Sequence, residues 1–536
     1  MPALNHQTFV NGKIFTARSE EEFVSAFTIG GGKITWVGDG REVDDSAAID
    51  LQGQTVLPGF IDVHTHPTWV GMILNAVPCT VPVVNSIPEM IEALKSHSNF
   101  GKSEDHWIEG FGYDESKLAE HRTPTTKDLD LVSTTQPVYV MRSDCHSAVC
   151  NSRALAIAQI TKDTPDPKGA RFGRYENGEP NGILQEFAAK DAVLRVKTAP
   201  SYHAKVNSVA RTGAHYHERG IVAFTDMMTL TRPFDDLQVY RDAEKQGLRQ
   251  QAALYFDWST LKQNQLRNLT DEQRKGRIKW AGVKLFADGS ISGRTAWVRE
   301  AYRNSKDHGY STVSDEDLLA AYKWPKRNRL QVAVHAMGDK ATERVIEFFA
   351  DKEPWLGDHV PSVRLEHVTL LTDEQMRRMN DGKMIFGAAT QIIFFFAEYD
   401  SYWANLRPAQ FQRAYPIKSL YDQIEHLGLS SDAPATTWAD PDNVFVSMKA
   451  AVTRKAYNGA DIVSEQAITV PQAVLLYTAR AARVAPFEGL LGQIAPSFEG
   501  SFIVLDRDIF NISPDEIDRT RVKETWIAGE KVYERN

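Results

Sequence analysis

Leu57-Pro58-Gly59-Phe60-Ile61-Asp62-Val63-His64-Thr65-His66 is an apolar run that ends in two imidazoles one residue apart. In an extended chain, residues i and i+2 point to the same face, so His64 and His66 can converge on one ion where a strand leaves its sheet. A lone His-x-His carries little weight, because two nearby histidines are more often satisfied core or surface groups than ligands. Its companions decide the reading.

Further apolar, β-branched runs follow at Ile221–Asp226, Ala252–Phe256, Gly282–Phe286, Leu330–His335, Val363–His367, Met384–Thr390 and Leu427–Ser431. Each is succeeded by helical patterning, the mark of parallel β/α units. Ser314-Asp315-Glu316-Asp317 and Thr372-Asp373-Glu374-Gln375 resemble capping boxes, and Pro471 sits where a helix can begin. With Val56–Val63 as the first strand, these units predict an α/β protein built on a (β/α)8 TIM-like barrel. The interval after the first strand is about 150 residues, too long for one helix, so a large insertion is expected there. Short alternating runs separated by glycine turns occupy both termini, including Phe9-Val10-Asn11-Gly12-Lys13-Ile14-Phe15 and Phe502-Ile503-Val504-Leu505. The expected domains are a composite β-sandwich of 1–57 and 493–536 and a barrel of 58–492, with 70–215 as the cap. Gly30-Gly31-Gly32-Lys33 lacks the spacing of a phosphate loop and reads as a hairpin turn.

Composition narrows the function. The chain of 536 residues is 42% hydrophobic and 24% charged with a formal net charge of −9, which argues against a nucleic-acid or anionic-membrane surface and for a small-molecule partner. Three cysteines without a C-x-x-C imply neither a disulfide framework nor a zinc finger. No run is apolar enough to cross a bilayer and no secretory leader is legible, so the expected location is cytoplasmic.

The polar residues of the repeated units gather at one place. His64 and His66 end the first strand, Lys284 lies in the fourth, His335 ends the fifth, His367 ends the sixth and Asp432 follows the eighth. Strand C-terminal ends of such a barrel share one rim, where catalytic groups collect. Singly, each histidine reads as a buried hydrogen-bonded group, Lys284 as a snorkelling side chain and Asp432 as a helix cap. Six of them at one rim read as a metal site.

The blocks MRSDCHSAVCNSRAL (141–155), NGEPNGILQE (177–186), VKLFADGSISGRTA (283–296), VHAMGDKA (334–341), RLEHV (364–368) and GLSSDAP (428–434) accompany PGFIDVHTH. Together they resemble the amidohydrolase superfamily, specifically the amidohydrolase-3 family of YtcJ-like and N-substituted formamide deformylase-like proteins, over nearly the whole chain. The resemblance implies a metal-centred barrel with a sandwich built from both termini. It also implies carbamylation of Lys284, which turns a cationic amine into an anionic bridging ligand. One metal is then expected on His64, His66 and Asp432, and another on His335 and His367, with Lys284 between them; an unmodified Lys284 implies a single ion. Imidazole and carboxylate ligands suit zinc best, with nickel, manganese or iron as alternatives.

The expected reaction is hydrolysis of a linear C–N bond in an amide, N-formyl or N-acyl amine by metal-activated hydroxide, with Asp432 as the proton carrier. His146 is a candidate donor to the reacting oxygen, with stabilisation of the cap as its structural reading. Asp288, Arg294 and Asp339 follow ligand-bearing strands and are read either as orienting groups or as loop salt bridges. Trp69, Arg294 and Gln391 are the candidate substrate contacts, and Phe394-Phe395-Phe396 reads equally as pocket wall or helix core. Ala388-Ala389-Thr390-Gln391 stands where relatives often carry a Gln-Pro pair. Rival readings are a cyclic amidine deaminase, disfavoured because Ala336-Met337-Gly338-Asp339 lacks the glutamate expected after His335, and a non-catalytic metal-binding scaffold. Monomer and homodimer both remain open.

Overall fold

The opening stretch forms two strands instead of the single Val56–Val63 strand expected. In the computed structural model, which describes residues 6–42, 47–143, 147–167, 170–197, 201–263, 266–357 and 359–535, Thr55–Pro58 lies in a terminal sheet and Phe60–Thr65 in the barrel. Gly59 is the break. A Cβ there would lie 2.3 Å from Val222 Cγ1, so only glycine lets the chain cross that close to the second barrel strand. The hydrogen-bond partner changes within one residue: Gly59 N donates to Ser501 O at 3.1 Å and Phe60 N to Gly220 O at 2.9 Å.

The barrel strands, numbered in chain order, are β1 (Phe60–Thr65), β2 (Ile221–Thr229), β3 (Gln251–Asp257), β4 (Ile278–Phe286), β5 (Gln331–Ala336), β6 (Val363–His367), β7 (Phe386–Thr390) and β8 (Leu427–Leu429). They form an eight-stranded sheet in sequential order with parallel neighbours throughout. β4 starts at Ile278 where Gly282 was expected, because Ile278-Lys279-Trp280 continues the ladder with Ala252-Ala253-Leu254. Lys279 obscures that start in the sequence; its amine reaches Pro486 O at 2.8 Å. No ladder joins β8 to β1. The seam is made by Asp432 N donating to His64 O at 2.8 Å and by Ser431, whose Oγ donates to Asp62 Oδ2 at 2.5 Å.

Small residues, Ala223, Ala253, Ala333 and Ala389, fill much of the barrel's buried cluster beside Tyr255. Gly282 makes room for that ring, since a Cβ would lie 2.3 Å from Tyr255 Cδ1. Small side chains leave the interior able to take the long buried side chains of Arg364, Glu366 and Lys284.

The terminal segments form a four-stranded sheet (Lys33–Gly38, Ala26–Gly30, His6–Val10, Ile49–Asp50) and a six-stranded sheet that includes Val522–Ile527, Phe502–Leu505 and Thr55–Pro58. Phe9 and Phe27 from the first meet Phe502 of the second with ring centroids 5.0 Å apart, and Trp526 stacks on Phe502. Burial of each such ring contributes about 1.5–3 kcal/mol.

Both terminal sheets and the barrel belong to one compact unit, while 67–208 and 433–441 form a second. The second unit holds a six-stranded mixed sheet ordered Arg171–Arg174, Pro180–Gln185, Ser147–Cys150, Val138–Arg142, Ile108–Tyr113, Val77–Pro78. Its distant segment 433–441 is held by Lys117, whose amine donates to Thr437 Oγ1 at 2.7 Å, and by Ala439 N donating to Val81 O at 3.1 Å. No helix among the described residues is long and apolar enough to cross a membrane.

Candidate metal centre

β1 is buried along its whole length. Its alternation puts Asp62 and His64 on one face, and His66 follows just beyond the strand end. His64 Nε2 lies 3.4 Å and His66 Nε2 2.9 Å from Asp432 Oδ1, and the ligand atoms of the three residues all lie within 4.8 Å of one another. All three side chains are buried. Asp432 reaches this point through a left-handed backbone, φ 53°, directly after Ser431 closes on Asp62. Strain of this kind in a non-glycine residue persists where the surroundings hold it, and here the His64 carbonyl does.

The sixth strand ends in the same way. His367 has φ 74° and Val368 φ 42°, two successive left-handed residues, the second β-branched. Thr390 Oγ1 donates to the His367 carbonyl at 2.9 Å and secures this turn. The His367 ring lies with its centroid 4.9 Å from that of His64 and 4.2 Å from that of His335, and its Nδ1 is 3.8 Å from Asp432 Oδ2. Asp432 thus directs one oxygen at the β1 histidines and the other at β6.

Lys284 is buried inside the barrel with Nζ 3.5 Å from His64 Nε2 and 5.0 Å from the Phe286 ring centroid. It makes no ion pair among the described residues. Burial pushes its pKa down to about 8, with Glu366 and Asp432 opposing. His335 donates from Nε2 to Gly289 O at 3.0 Å, leaving Nδ1 as its available lone pair. Burial and the neighbouring Lys284 pull His335 down to about 3; burial likewise holds His64 and His367 well below the usual imidazole range. Neutral imidazoles at physiological pH are what a metal requires of its ligands.

All six ligand candidates therefore lie in the barrel unit. The remaining candidates divide. Gln391 is fully buried after β7 and donates to Ser430 Oγ at 2.9 Å. Arg294 is exposed and donates from Nε to Asn405 Oδ1 at 2.7 Å, so it ties its loop to the end of helix Tyr399–Asn405. Trp69 belongs to the second unit, on helix Pro67–Ile73. His146 lies outside the described residues. Asp288 gathers the backbone amides of Trp297, Met337 and Gly338 at 2.8–3.0 Å and lies 3.6 Å from His335 Nε2. Burial raises its pKa to about 7. Asp339 accepts from Arg299 N at 2.7 Å. Phe394 stacks over His367 at 6.0 Å, whereas Phe395 packs among Tyr402, Phe411 and Tyr415 in the core.

Four residues at this site had not been singled out: Glu366, Arg364, Asp62 and Ser431. Glu366 Oε2 lies 2.6 Å from His64 Nδ1 and is held by Arg364. Two opposite charges at alternate positions of a strand buried on both faces were the available signal.

The donor set fits a divalent cation. Two imidazole nitrogens and a carboxylate oxygen face one another within 4.8 Å, and among the described residues His367 Nδ1 and Gln391 Oε1 are buried without hydrogen-bond partners.

Comparison with known proteins agrees with this geometry. The chain is 25% identical to N-substituted formamide deformylase of Arthrobacter pascens, covering 100% of this chain and 99% of the relative. It is 26% identical to the putative amidohydrolase YtcJ of Bacillus subtilis, with 98% and 99% covered. A crystal structure of a metal-dependent hydrolase from Pyrococcus horikoshii superposes with a TM-score of 0.75 at 26% identity, covering 95% of this chain and 99% of that one. The amidohydrolase family's sequence pattern matches residues 47–533. The chain therefore belongs to the amidohydrolase family, and with it to the hydrolases.

Proposed function

We propose that this protein is a metal-dependent amidohydrolase that cleaves the C–N bond of a linear amide, of the N-formyl or N-acyl amine class. The observation that carries the reading is the convergence of His64 Nε2 and His66 Nε2 on Asp432 Oδ1 within a buried 4.8 Å group. The relative named as a deformylase of N-substituted formamides supports the substrate class. In this reading the terminal sheets are a β-sandwich that braces the barrel.

A divalent ion bound there supplies a water of pKa about 7 in place of about 16 and polarises the substrate carbonyl. Zinc suits the donors best. His64, His66 and Asp432 would hold a first ion, and His335 and His367 a second. Lys284 would contribute as a carbamate: its neutral amine would add to carbon dioxide, lose a proton and become an anion with two donor oxygens. A pKa near 8 leaves part of the amine neutral at pH 7, which that addition needs. Asp432 accepts the proton of the attacking water and passes it to the departing nitrogen, so that water and amide become acid and amine. Gln391, buried directly after β7, contributes to the substrate pocket.

Metal analysis of the purified protein, with assays of amine release from a panel of N-formyl and N-acyl amines, tests this. Expected are bound divalent metal and amine release that stops on chelation. A metal-free, inert protein overturns the reading in favour of a scaffold, and ammonia release from cyclic amidines overturns it in favour of a deaminase.

A further inference from the structure

A chain of buried charged groups stands behind the His64 ring, and the hydrolytic reading gives it no task. Glu366 and Arg364 are both completely buried. Arg364 donates to Glu366 from Nε at 2.5 Å and from Nη2 at 3.1 Å, and from Nη2 also to the carbonyl of Val63. Its guanidinium lies 5.2 Å over the Tyr255 ring, and the Tyr255 hydroxyl donates to Gln331 Oε1. Gln331 is itself fixed by donating to Pro361 O at 2.7 Å and Val484 O at 3.1 Å. Buried ion pairs are seldom kept for stability, since well-packed apolar residues of the same volume do as well or better.

We infer that Glu366, held by Arg364, is a positioning residue that fixes the tautomer and aim of His64. The inference rests on the metal-centre reading above. A carboxylate only accepts, so the His64 nitrogen 2.6 Å away is the one that carries the proton. The lone pair then stands on Nε2, the atom that faces Asp432 Oδ1. The Arg364 contact with Val63 O ties the carboxylate to the backbone immediately before His64, so ring and strand end are oriented together. An anionic acceptor also strengthens Nε2 as a donor to a metal.

Two readouts on the full chain test this without using turnover. Nitrogen-15 NMR of histidine-labelled, metal-free protein, with the His64 signal assigned by its loss in His64→Gln, reports which nitrogen bears the proton. Competition with a chelator gives the zinc Kd. Expected are a proton on Nδ1 in the unmutated protein, and a zinc Kd roughly 10–100-fold weaker in Arg364→Met/Glu366→Leu. That pair of changes removes both charges together and leaves no lone buried ion. A proton on Nε2 of the unmutated protein, or a double variant binding zinc within twofold of it, overturns the inference. Should the double variant fail to unfold cooperatively, the tautomer of the unmutated protein decides alone. A protein that shows the Nδ1 proton but binds no zinc breaks the metal-centre reading while leaving the tautomer assignment standing.

Discussion

The two sides of the metal centre are built differently. At the seam, His64, His66 and Asp432 converge directly, held by Asp62, Ser431 and the His64 carbonyl. Across the barrel, Lys284 presents a buried amine without an ion pair among the described residues, and one His335 nitrogen is engaged by Gly289 O. The seam is therefore assembled by folding alone. On the far side an ammonium at Lys284 would repel a cation, and the proposed carbamate would reverse that charge. With the carbamate proposed above, that difference predicts a first metal site independent of carbon dioxide and a second dependent on it.

Asp432→Asn strikes the shared element and carries the largest effect. It keeps the shape but removes the proton acceptor, so kcat on the N-acyl amine panel is expected to fall roughly 10³–10⁴-fold with the circular dichroism spectrum unchanged; full activity would refute the assigned proton carrier. Lys284→Gln separates the two sides. Activity is expected to fall about 100-fold, comparable to losing a metal-orienting partner, and metal content to drop from two ions to one per chain. Loading the unmutated protein without carbon dioxide should give the same stoichiometry, and two ions retained under both conditions would remove the carbamate from the account. Asp62→Ala opens the seam, leaving Ser431 and the His64 amide without an acceptor. A loss of about 2–3 kcal/mol in denaturant unfolding is expected, with weaker metal binding at the first site only.

The smallest effect is a pH slope on the far side. His335 is held at about 3 when folded, below the ordinary imidazole value. Its contribution to stability is complete above the unfolded pKa near 6.5 and is lost as pH falls towards the folded value, because the unfolded chain takes up the proton first. Metal-free protein compared with His335→Gln should therefore lose about 1.4 kcal/mol per pH unit below pH 6.5 relative to the variant. Parallel stability curves would show that His335 is not buried neutral. Taking the difference between the two proteins cancels Asp62, whose carboxyl burial raises to about 7 and whose slope runs the opposite way.

Much of this was legible in the residues. Seven of the eight barrel strands lie where periodicity and β-branching placed them, give or take the early start of β4, and the six ligand candidates all lie at strand ends or inside one barrel. Val56 to Val63 reads as a single strand because it is apolar but for Asp62, and the pattern of side chains does not register a change of hydrogen-bonding partner at Gly59. Arg364 and Glu366 were passed over because charges inside a strand look like an exposed edge until both faces are covered.

The order of apolar runs and the candidate metal donors are local properties of the polypeptide, and periodicity with side-chain chemistry makes them legible in the sequence alone. Which nitrogen of His64 faces inward, which oxygen of Asp432 meets which histidine, and the joining of 433–441 to a unit more than two hundred residues away were decided only by the tertiary structure. These depend on close approach between segments distant in the chain, and on left-handed turns at His367 and Asp432 that packing imposes against the local preference of the residues.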